Sequence, residues 1–274
     1  MNKALVFGIA AAVLLVIGLG GFFIIQATSN PNDETPEVVA TPPEIKKINS
    51  LPLSDRPFVT LIPHSNPARC DGVDLMIDSL KMGEAEVEYD LEYTNKIETG
   101  TKIEGMFGRR DFTQDKDHDP LEFGTCSRGR CVCHDEIQGG SIKLSFTGTE
   151  DYVLKGDFAV ENVGQREGVL VSKDVRLTIE TGDVLGDDTD VMIMNTFGVP
   201  GELTDKIILG PYGVFVEDNP ELDGVISATI QSKDAANAKV QLWNGDNWQV
   251  LESAVDENVI SFEMPSLGVV VLTE

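Results

Sequence analysis

Residues 85–93 read Ala-Glu-Val-Glu-Tyr-Asp-Leu-Glu-Tyr, with apolar side chains at odd positions and carboxylates at every even position. Successive side chains of a β-strand point to opposite faces, so this alternation predicts a strand. Val87, Tyr89 and Leu91 would face a core, and the four carboxylates would face solvent beside lysine or arginine side chains of neighbouring strands. The run is typical of an all-β fold.

Runs with the same two-residue period recur along the chain, separated by breaks that contain glycine, asparagine or proline. Many short strands at this spacing indicate antiparallel β-sandwiches of the immunoglobulin or fibronectin type. The residues after position 54 are too many for one small sandwich and suffice for two. The polar, glycine-containing segment 162–168 is the predicted boundary, which gives one sandwich at 55–163 and a second at 168–274. The predicted strands are 58–62, 73–80, 85–93, 102–107, 142–147, 152–160, 175–180, 191–195, 207–209, 212–216, 225–230, 239–243, 248–251, 259–264 and 269–272.

Residues 4–25 form a stretch of 22 residues without a charge or a proline. At about 1.5 Å of rise per residue, a helix of this length crosses the core of a bilayer. A cleaved signal peptide has a shorter apolar core and a cleavage site with small residues, whereas the candidate site at 25–27 begins with isoleucine. We therefore expect residues 1–26 to hold a cytoplasmic tip and one transmembrane signal anchor in the cell membrane. Lys3 would stay in the cytoplasm, and everything after the anchor would be extracellular or periplasmic.

Residues 27–54 are rich in proline and polar side chains, which predicts a flexible linker that lifts the folded part off the membrane. The whole chain carries a net charge of −25, and residues 1–29 hold one lysine and no acid, so the remainder carries −26. Nucleic acid and anionic lipid headgroups repel such a surface, so no nucleic-acid partner is expected. The charge suits solubility outside the cell, calcium-rich surroundings or a basic partner.

The four cysteines, Cys70, Cys126, Cys131 and Cys133, all lie in the first predicted sandwich. An even number of cysteines in an oxidising compartment favours disulfides. Four residues with a glycine separate Cys126 from Cys131, so a hairpin turn would bring them together, and Cys70 would pair with Cys133. The alternative is zinc bound by Cys126, Cys131, Cys133 and His134, which lacks the usual Cys-x-x-Cys spacing.

Asp115, Asp117 and Asp119 alternate as the acids do at the start of a calcium-binding loop. An EF-hand loop then requires glycine at position 6 and glutamate at position 12, and this chain has proline and cysteine there. A looser calcium site remains an alternative to a solvated acidic turn, and the acidic segment 187–190 is a second loop of the same kind. No cofactor is expected, and calcium is the alternative to that expectation.

Trp243 and Trp248, the two tryptophans of the chain, flank an Asn-Gly pair that predicts a hairpin turn. Exposed tryptophan rings would offer a ligand platform on which sugar rings stack. The alternative is that one ring plugs the end of the sandwich core.

The sequence does not indicate an enzyme. Its three histidines, His64, His118 and His134, lie outside the motifs of serine hydrolases and metalloproteases. No glycine-rich phosphate loop precedes a helix. Acidic residues are so numerous that a carboxylate pair for glycoside hydrolysis stays open as an alternative.

Three segments of the first sandwich, 58–63, 87–93 and 123–131, resemble uncharacterised N-terminally anchored surface proteins of candidate-phylum bacteria. The second half, with its tryptophan hairpin at 243–248 and its ending at 262–272, resembles immunoglobulin-like modules of bacterial surface proteins. The resemblance implies a location and a fold, and it carries no catalytic residues.

The first functional hypothesis is a non-catalytic binding or adhesion protein that meets a protein or glycan ligand outside the cell. The second is a structural subunit of a cell-envelope complex, whose anchor packs with partners through Gly18, Gly20 and Gly21. The third is an extracellular hydrolase. A binding module would show an exposed apolar patch, a structural subunit an open edge strand, and a hydrolase a deep cleft with convergent titratable groups.

Overall fold

A computed structural model describes residues 47–113 and 118–274. The predicted anchor within 1–26 and the first part of the linker, 27–46, lie outside the described residues, as do Asp115 and Asp117. No helix among the described residues combines the length and the apolar character that a membrane span requires.

The described chain is all-β, as the alternating patterns predict, and its strands pair antiparallel within several sheets. Two short 3-10 helices, Leu53–Asp55 and Ala235–Asn237, accompany the strands. The strands are β1 Phe58–His64, β2 Gly72–Asp78, β3 Glu84–Ile97, β4 Gly100–Asp111, β5 His118–Glu122, β6 Gly124–Ser127, β7 Arg130–Cys133, β8 Ile137–Gly148, β9 Tyr152–Asn162, β10 Val169–Val171, β11 Leu177–Glu180, β12 Asp190–Asn195, β13 Ile207–Phe215, β14 Ile226–Gln231, β15 Lys239–Trp243, β16 Trp248–Leu251, β17 Ser253–Asp256, β18 Val259–Met264 and β19 Gly268–Thr273.

One long sheet runs through the molecule in the order β16-β15-β19-β13-β12-β9-β8-β3-β4. A three-stranded sheet, β1-β2-β5, and a five-stranded sheet, β10-β11-β14-β18-β17, accompany the nine-stranded sheet. The strands β6 and β7 form a separate two-stranded hairpin, the cysteine hairpin. The nine-stranded sheet therefore contains strands from both predicted sandwiches, because β9 pairs with β12.

Two hydrophobic cores lie on opposite faces of the nine-stranded sheet. The first core joins the three-stranded sheet to the sheet half around β3, β8 and β9, and the second core joins the five-stranded sheet to the other half. Strand β12 belongs to both, because Met192 and Met194 face the first core and Val191 and Ile193 face the second. Its four central side chains are all buried, which explains a continuous apolar run instead of an alternation.

Strand β3 directs its side chains to the faces that the alternation at 85–93 predicts. Val87 and Leu91 on β3 are fully buried in the first core, and Tyr89 packs against it. The opposite face of β3 carries the carboxylates, where Arg109 of β4 forms an ion pair with Glu86. This solvent face extends onto β4 and β8, the neighbours of β3 in the sheet.

The last residues of the segment predicted as a linker are bound to the fold. The backbone N–H of Asn49 donates to the Val153 carbonyl at 2.9 Å, and the Asn49 side chain exchanges two hydrogen bonds with the backbone of Lys155. Arg56 then donates to the carbonyls of Asn49 and Leu51. The ordered fold thus begins ahead of residue 55.

Candidate functional site

The described chain has a cleft of about 880 Å³, here called the acidic cleft. Six segments form most of its wall: the end of β1, the start of β2, residues 134–138, residues 160–166, the turn before β12 and the loop after β13. Nine acidic side chains line it, against two basic ones, Lys96 and Arg166. The predicted boundary segment, 162–168, and the acidic segment 187–190 both contribute to this wall.

Both cations of the acidic cleft are already paired with carboxylates of the same cleft. The Arg166 guanidinium contacts both oxygens of Glu161, whose side chain is nine-tenths buried. The ammonium of Lys96 lies 2.6 Å from a carboxylate oxygen of Glu136. The carboxylates left exposed in the wall include Asp188, and they give the cleft an excess of negative charge.

One wall of the acidic cleft is closed by contacts of the loop after β1. The Ser65 backbone N–H and hydroxyl both donate to the Glu217 carboxylate, at 2.7 and 2.6 Å. These two hydrogen bonds, with a smaller effect of His64, hold the pKa of Glu217 below its usual range. His64 Nδ1 in turn lies 3.4 Å from Asp74. The hydroxyl of Ser65 therefore points to a carboxylate and not to the histidine beside it.

His134 lies at the other wall, where it joins a chain of polar contacts. The Tyr93 hydroxyl and His134 Nδ1 are 2.7 Å apart, and His134 Nε2 lies 3.9 Å from Glu104. Burial, with the nearby Glu104 charge, raises the pKa of Tyr93 to about 12. The Tyr93 ring also packs against Phe123 with 4.8 Å between ring centroids. These contacts fix the segment after the cysteine hairpin against β3 and β4.

The cysteines form two disulfides, Cys126–Cys131 and Cys70–Cys133, in the pairing that the sequence analysis expects. The first joins a cross-strand pair of the cysteine hairpin, and the second ties this hairpin to the residues before β2. Among residues 47–113 and 118–274, three of these cysteines form the only cluster with the spacing of a metal site. All three sulfur atoms are held in these two disulfides, whereas zinc needs thiolates.

The acids of the two candidate calcium loops, 115–119 and 187–190, have different surroundings. Asp119 lies in β5, is buried, and has a carboxylate oxygen 3.8 Å from Arg110 Nε. Asp190 accepts a hydrogen bond from the Asn162 side chain at 2.9 Å, and Asp188 is exposed in the acidic cleft. Calcium at Asp115, Asp117 and Asp119 stays a prediction, for which Asp119 would have to leave the neighbourhood of Arg110.

Trp243 and Trp248 are directly opposite each other on β15 and β16, with ring centroids 5.7 Å apart. Both side chains are half-buried. The Trp248 indole N–H donates to the Pro200 carbonyl at 3.0 Å, and the Trp243 ring lies against Gly201, where a Cβ atom would come within 2.8 Å of it. Part of each ring is therefore occupied by the loop at 200–201, and the ligand platform stays a prediction.

The most exposed large apolar side chains lie on β4, far along the sheet from the tryptophans. Phe107 is 88% exposed and Ile103 is 73% exposed, on the solvent face that carries the β3 carboxylates. Sequence reasoning missed this surface because the alternation of β4 resembles that of any half-buried strand.

Comparisons of the chain with models of protein families, with curated proteins and with solved structures find no match.

Proposed function

We propose that the chain is a membrane-anchored, non-catalytic binding protein presented outside the cell, and that its ligand occupies the acidic cleft. The apolar stretch at 4–25 supports the anchor. Two immunoglobulin- or fibronectin-like sandwiches belong to the same proposal. The two separate hydrophobic cores support them, although β12 of the second predicted sandwich contributes to both cores.

The acidic cleft is the observation that carries this proposal. Its volume of about 880 Å³ lies in the range of ligand sites, which are concave surfaces of roughly 300–1,000 Å³. Its wall combines carboxylates with the apolar side chains of Phe123, Leu185 and Leu222. A wall of this kind suits a ligand with positive charges on an apolar stem.

The contacts of the histidines and of Ser65 in the acidic cleft favour binding over catalysis. His134 is held by Tyr93 and the Ser65 hydroxyl by Glu217, whereas His64 Nδ1 lies 3.4 Å from Asp74 without a hydrogen bond. A nucleophile requires a general base within hydrogen-bond reach, and here the hydroxyl and the neighbouring histidine each contact a different carboxylate. The hydrolase hypothesis thus gains no support from this cleft.

The ligand class that the charge favours is a protein segment rich in lysine or arginine. Lysine and arginine stems cover apolar surface while their charged ends reach carboxylates, which matches the mixed wall of the cleft. A glycan ligand would instead use the half-buried pair Trp243 and Trp248.

The proposal is tested by calorimetric titration of the chain with a hexalysine peptide at low and physiological salt. A triple variant, Asp188→Asn with Glu221→Gln and Asp223→Asn, removes three exposed carboxylates from the cleft. We expect a roughly tenfold loss of affinity, since each exposed charge contributes well under about 1 kcal/mol.

The matched control removes the same charge from the solvent face of β3, by Glu88→Gln with Asp90→Asn and Glu92→Gln. Its affinity should stay near that of the unchanged chain. Equal losses in both variants would show that hexalysine binds the overall negative charge, and absence of binding to the unchanged chain would reject the proposal.

A structural subunit of a cell-envelope complex is the second candidate function. The observation that favours it is the long edge strand β4, whose exposed Phe107 and Ile103 offer a surface for another protein chain. A subunit of this kind would co-purify with a fixed partner from native envelope.

A further inference from the structure

Strand β4 is a long edge whose outer side pairs with no strand among the described residues. It lies at one end of the nine-stranded sheet and spans Gly100–Asp111, whereas the opposite edge, β16, spans only Trp248–Leu251. Its register with β3 runs without a bulge from Ile97 opposite Gly100 to Glu86 opposite Asp111. A long, regular edge of this kind is a template for pairing with another strand.

The backbone groups that point to the free side can be identified from the register. The Phe112 N–H donates to the Ala85 carbonyl at 2.9 Å, in the same register as the β3–β4 pairs. Antiparallel pairs alternate between hydrogen-bonded and non-hydrogen-bonded, so the even positions of β4 bond to β3. The odd positions, from Thr101 to Arg109, therefore direct their N–H and C=O groups to the free edge.

The same odd positions hold the exposed apolar side chains. Ile103 and Phe107 lie on the solvent face at equal distances from Gly105. Suppose that a second copy of β4 pairs antiparallel about a two-fold axis at Gly105. Ile103 of each copy then faces Phe107 of the other, and nearly the whole strand, 100–110, is paired with hydrogen bonds at every odd position.

We propose that two copies of this chain associate through antiparallel pairing of their β4 strands about a two-fold axis at Gly105. Two-fold association is the commonest oligomeric symmetry, and it requires one patch that is complementary to itself. The alternation of Ile103, Gly105 and Phe107 supplies such a patch, because aliphatic–aromatic pairs across strands are favourable.

Charge opposes this association less than the net charge of −25 suggests. On β4 itself, Glu104 pairs with Lys102 and Asp111 is the last residue of the strand. The carboxylate row Glu88, Asp90 and Glu92 lies on β3, one strand away from the proposed seam. In the dimer, this row of one copy and the same row of the other copy would be three strand spacings apart, about 14 Å. This separation exceeds the Debye length of about 8 Å at physiological salt, so the repulsion between the rows is largely screened there. Lowering the salt should therefore weaken the dimer, and raising it should not. If β4 paired instead with a positively charged strand of another protein, added salt would weaken that association, because salt screens attraction between opposite charges.

The dimer is expected to be reversible, because a single strand pair buries less surface than the roughly 1,200–2,000 Å² of stable interfaces. The test is sedimentation equilibrium of the full chain in detergent micelles over a range of concentrations and salt. Phe107→Lys should weaken association about tenfold or more. Val250→Lys makes the same change at a 61%-exposed valine of the opposite edge, β16, and should leave association unchanged.

A cross-linking experiment tests the register. One chain carries Ile103→Cys, a second carries Phe107→Cys, and a short bismaleimide links thiols that lie within its reach. The mixture should cross-link, whereas either chain alone should not, because identical positions would lie four residues apart along the seam, roughly 14 Å.

Several outcomes would overturn the proposal. Association that survives Phe107→Lys would point to contact through the apolar N-terminal stretch. A chain that is monomeric at all concentrations would indicate that β4 pairs with residues 27–46 or with another protein and not with a second copy. Association that salt weakens would indicate a basic partner strand carried through purification.

Discussion

Val175 occupies a backbone conformation that its side chain disfavours. Its φ angle is +61°, in the left-handed region, at the turn between β10 and β11. Its N–H donates to the Ser172 carbonyl at 2.8 Å, and its side chain is 65% exposed. A β-branched residue in this region is strained, whereas glycine and asparagine are common there.

We expect Val175→Asn to raise the free energy of unfolding by about 1 kcal/mol, because asparagine tolerates the left-handed region. Urea unfolding of the purified chain measures the change. As a control, Val250→Asn introduces asparagine at an exposed position of β16, where strand propensity should make it neutral or destabilising. A loss of stability in the Val175 variant would show that the valine side chain makes contacts that outweigh the strain.

Individual residues differed in how well the sequence predicted them. The burial of Val87 and Leu91 follows from alternation alone, because that pattern reports which face of a strand a residue occupies. The burial of Asp119 beside Arg110 does not, because the cation comes from β4 and the pairing is visible only in three dimensions. The spacing of the acids predicts an acidic loop at Asp119, whereas this residue lies within β5.

At the scale of elements, strands with a clear period were predicted closely and short strands were missed. The strands β15, β16 and β18 match the predicted 239–243, 248–251 and 259–264. The missed strands are short, exposed or interrupted: β5 contains a proline, and all four residues of β17 are exposed. Two predicted strands, 207–209 and 212–216, are one strand, β13, with irregular register between them.

The two disulfides should contribute unequally to stability. Cys70–Cys133 closes a loop with a sequence separation of 63, and Cys126–Cys131 one with a separation of 5. In the chain-entropy description, these loops correspond to roughly 4 and roughly 2 kcal/mol.

Replacing both cysteines of a pair by alanine and measuring urea unfolding checks this expectation. The Cys70→Ala with Cys133→Ala variant should lose about twice the free energy of unfolding that the Cys126→Ala with Cys131→Ala variant loses. The two pairs serve as controls for each other, because each variant keeps one disulfide. A larger loss for the short loop would contradict the entropic account and would point to the hairpin itself.

At the scale of the whole molecule, the sheet order could not be predicted. The alternating runs identify strands and their inner faces, but pairing between β9 and β12 depends on which runs meet after the chain folds. The acidic cleft escaped prediction for the same reason, since six separate segments form most of its wall. Only its acidic turn at 187–190 and its polar loop at 162–168 stood out in the sequence.

The four tyrosines of the chain share one electrostatic property. Burial raises the pKa of each, helped at Tyr89 by Asp119, at Tyr93 by Glu104, at Tyr152 by a hydrogen bond to Glu84 and at Tyr212 by one to Asp174. A raised pKa in the folded state contributes stability below the unfolded value of about 10. That stability is lost as the pH rises from about 10 through the folded values.

A spectrophotometric titration of tyrosinate therefore should separate folded from unfolded chain. At pH values near 10, the chain in concentrated urea should be about half ionised at its tyrosines, whereas the folded chain should show a clearly smaller fraction of tyrosinate. Urea unfolding at increasing pH should show declining stability over the same range. Coincident titration curves with and without urea would contradict the assignment of all four hydroxyl groups to protected sites.

Strand β12 makes the two halves of this protein depend on each other. Its methionines complete one core and its valine and isoleucine complete the other, so detaching it would open both at once. The molecule should consequently lose its structure in a single step, and a fragment starting at residue 168 would carry an apolar surface with nothing to cover it.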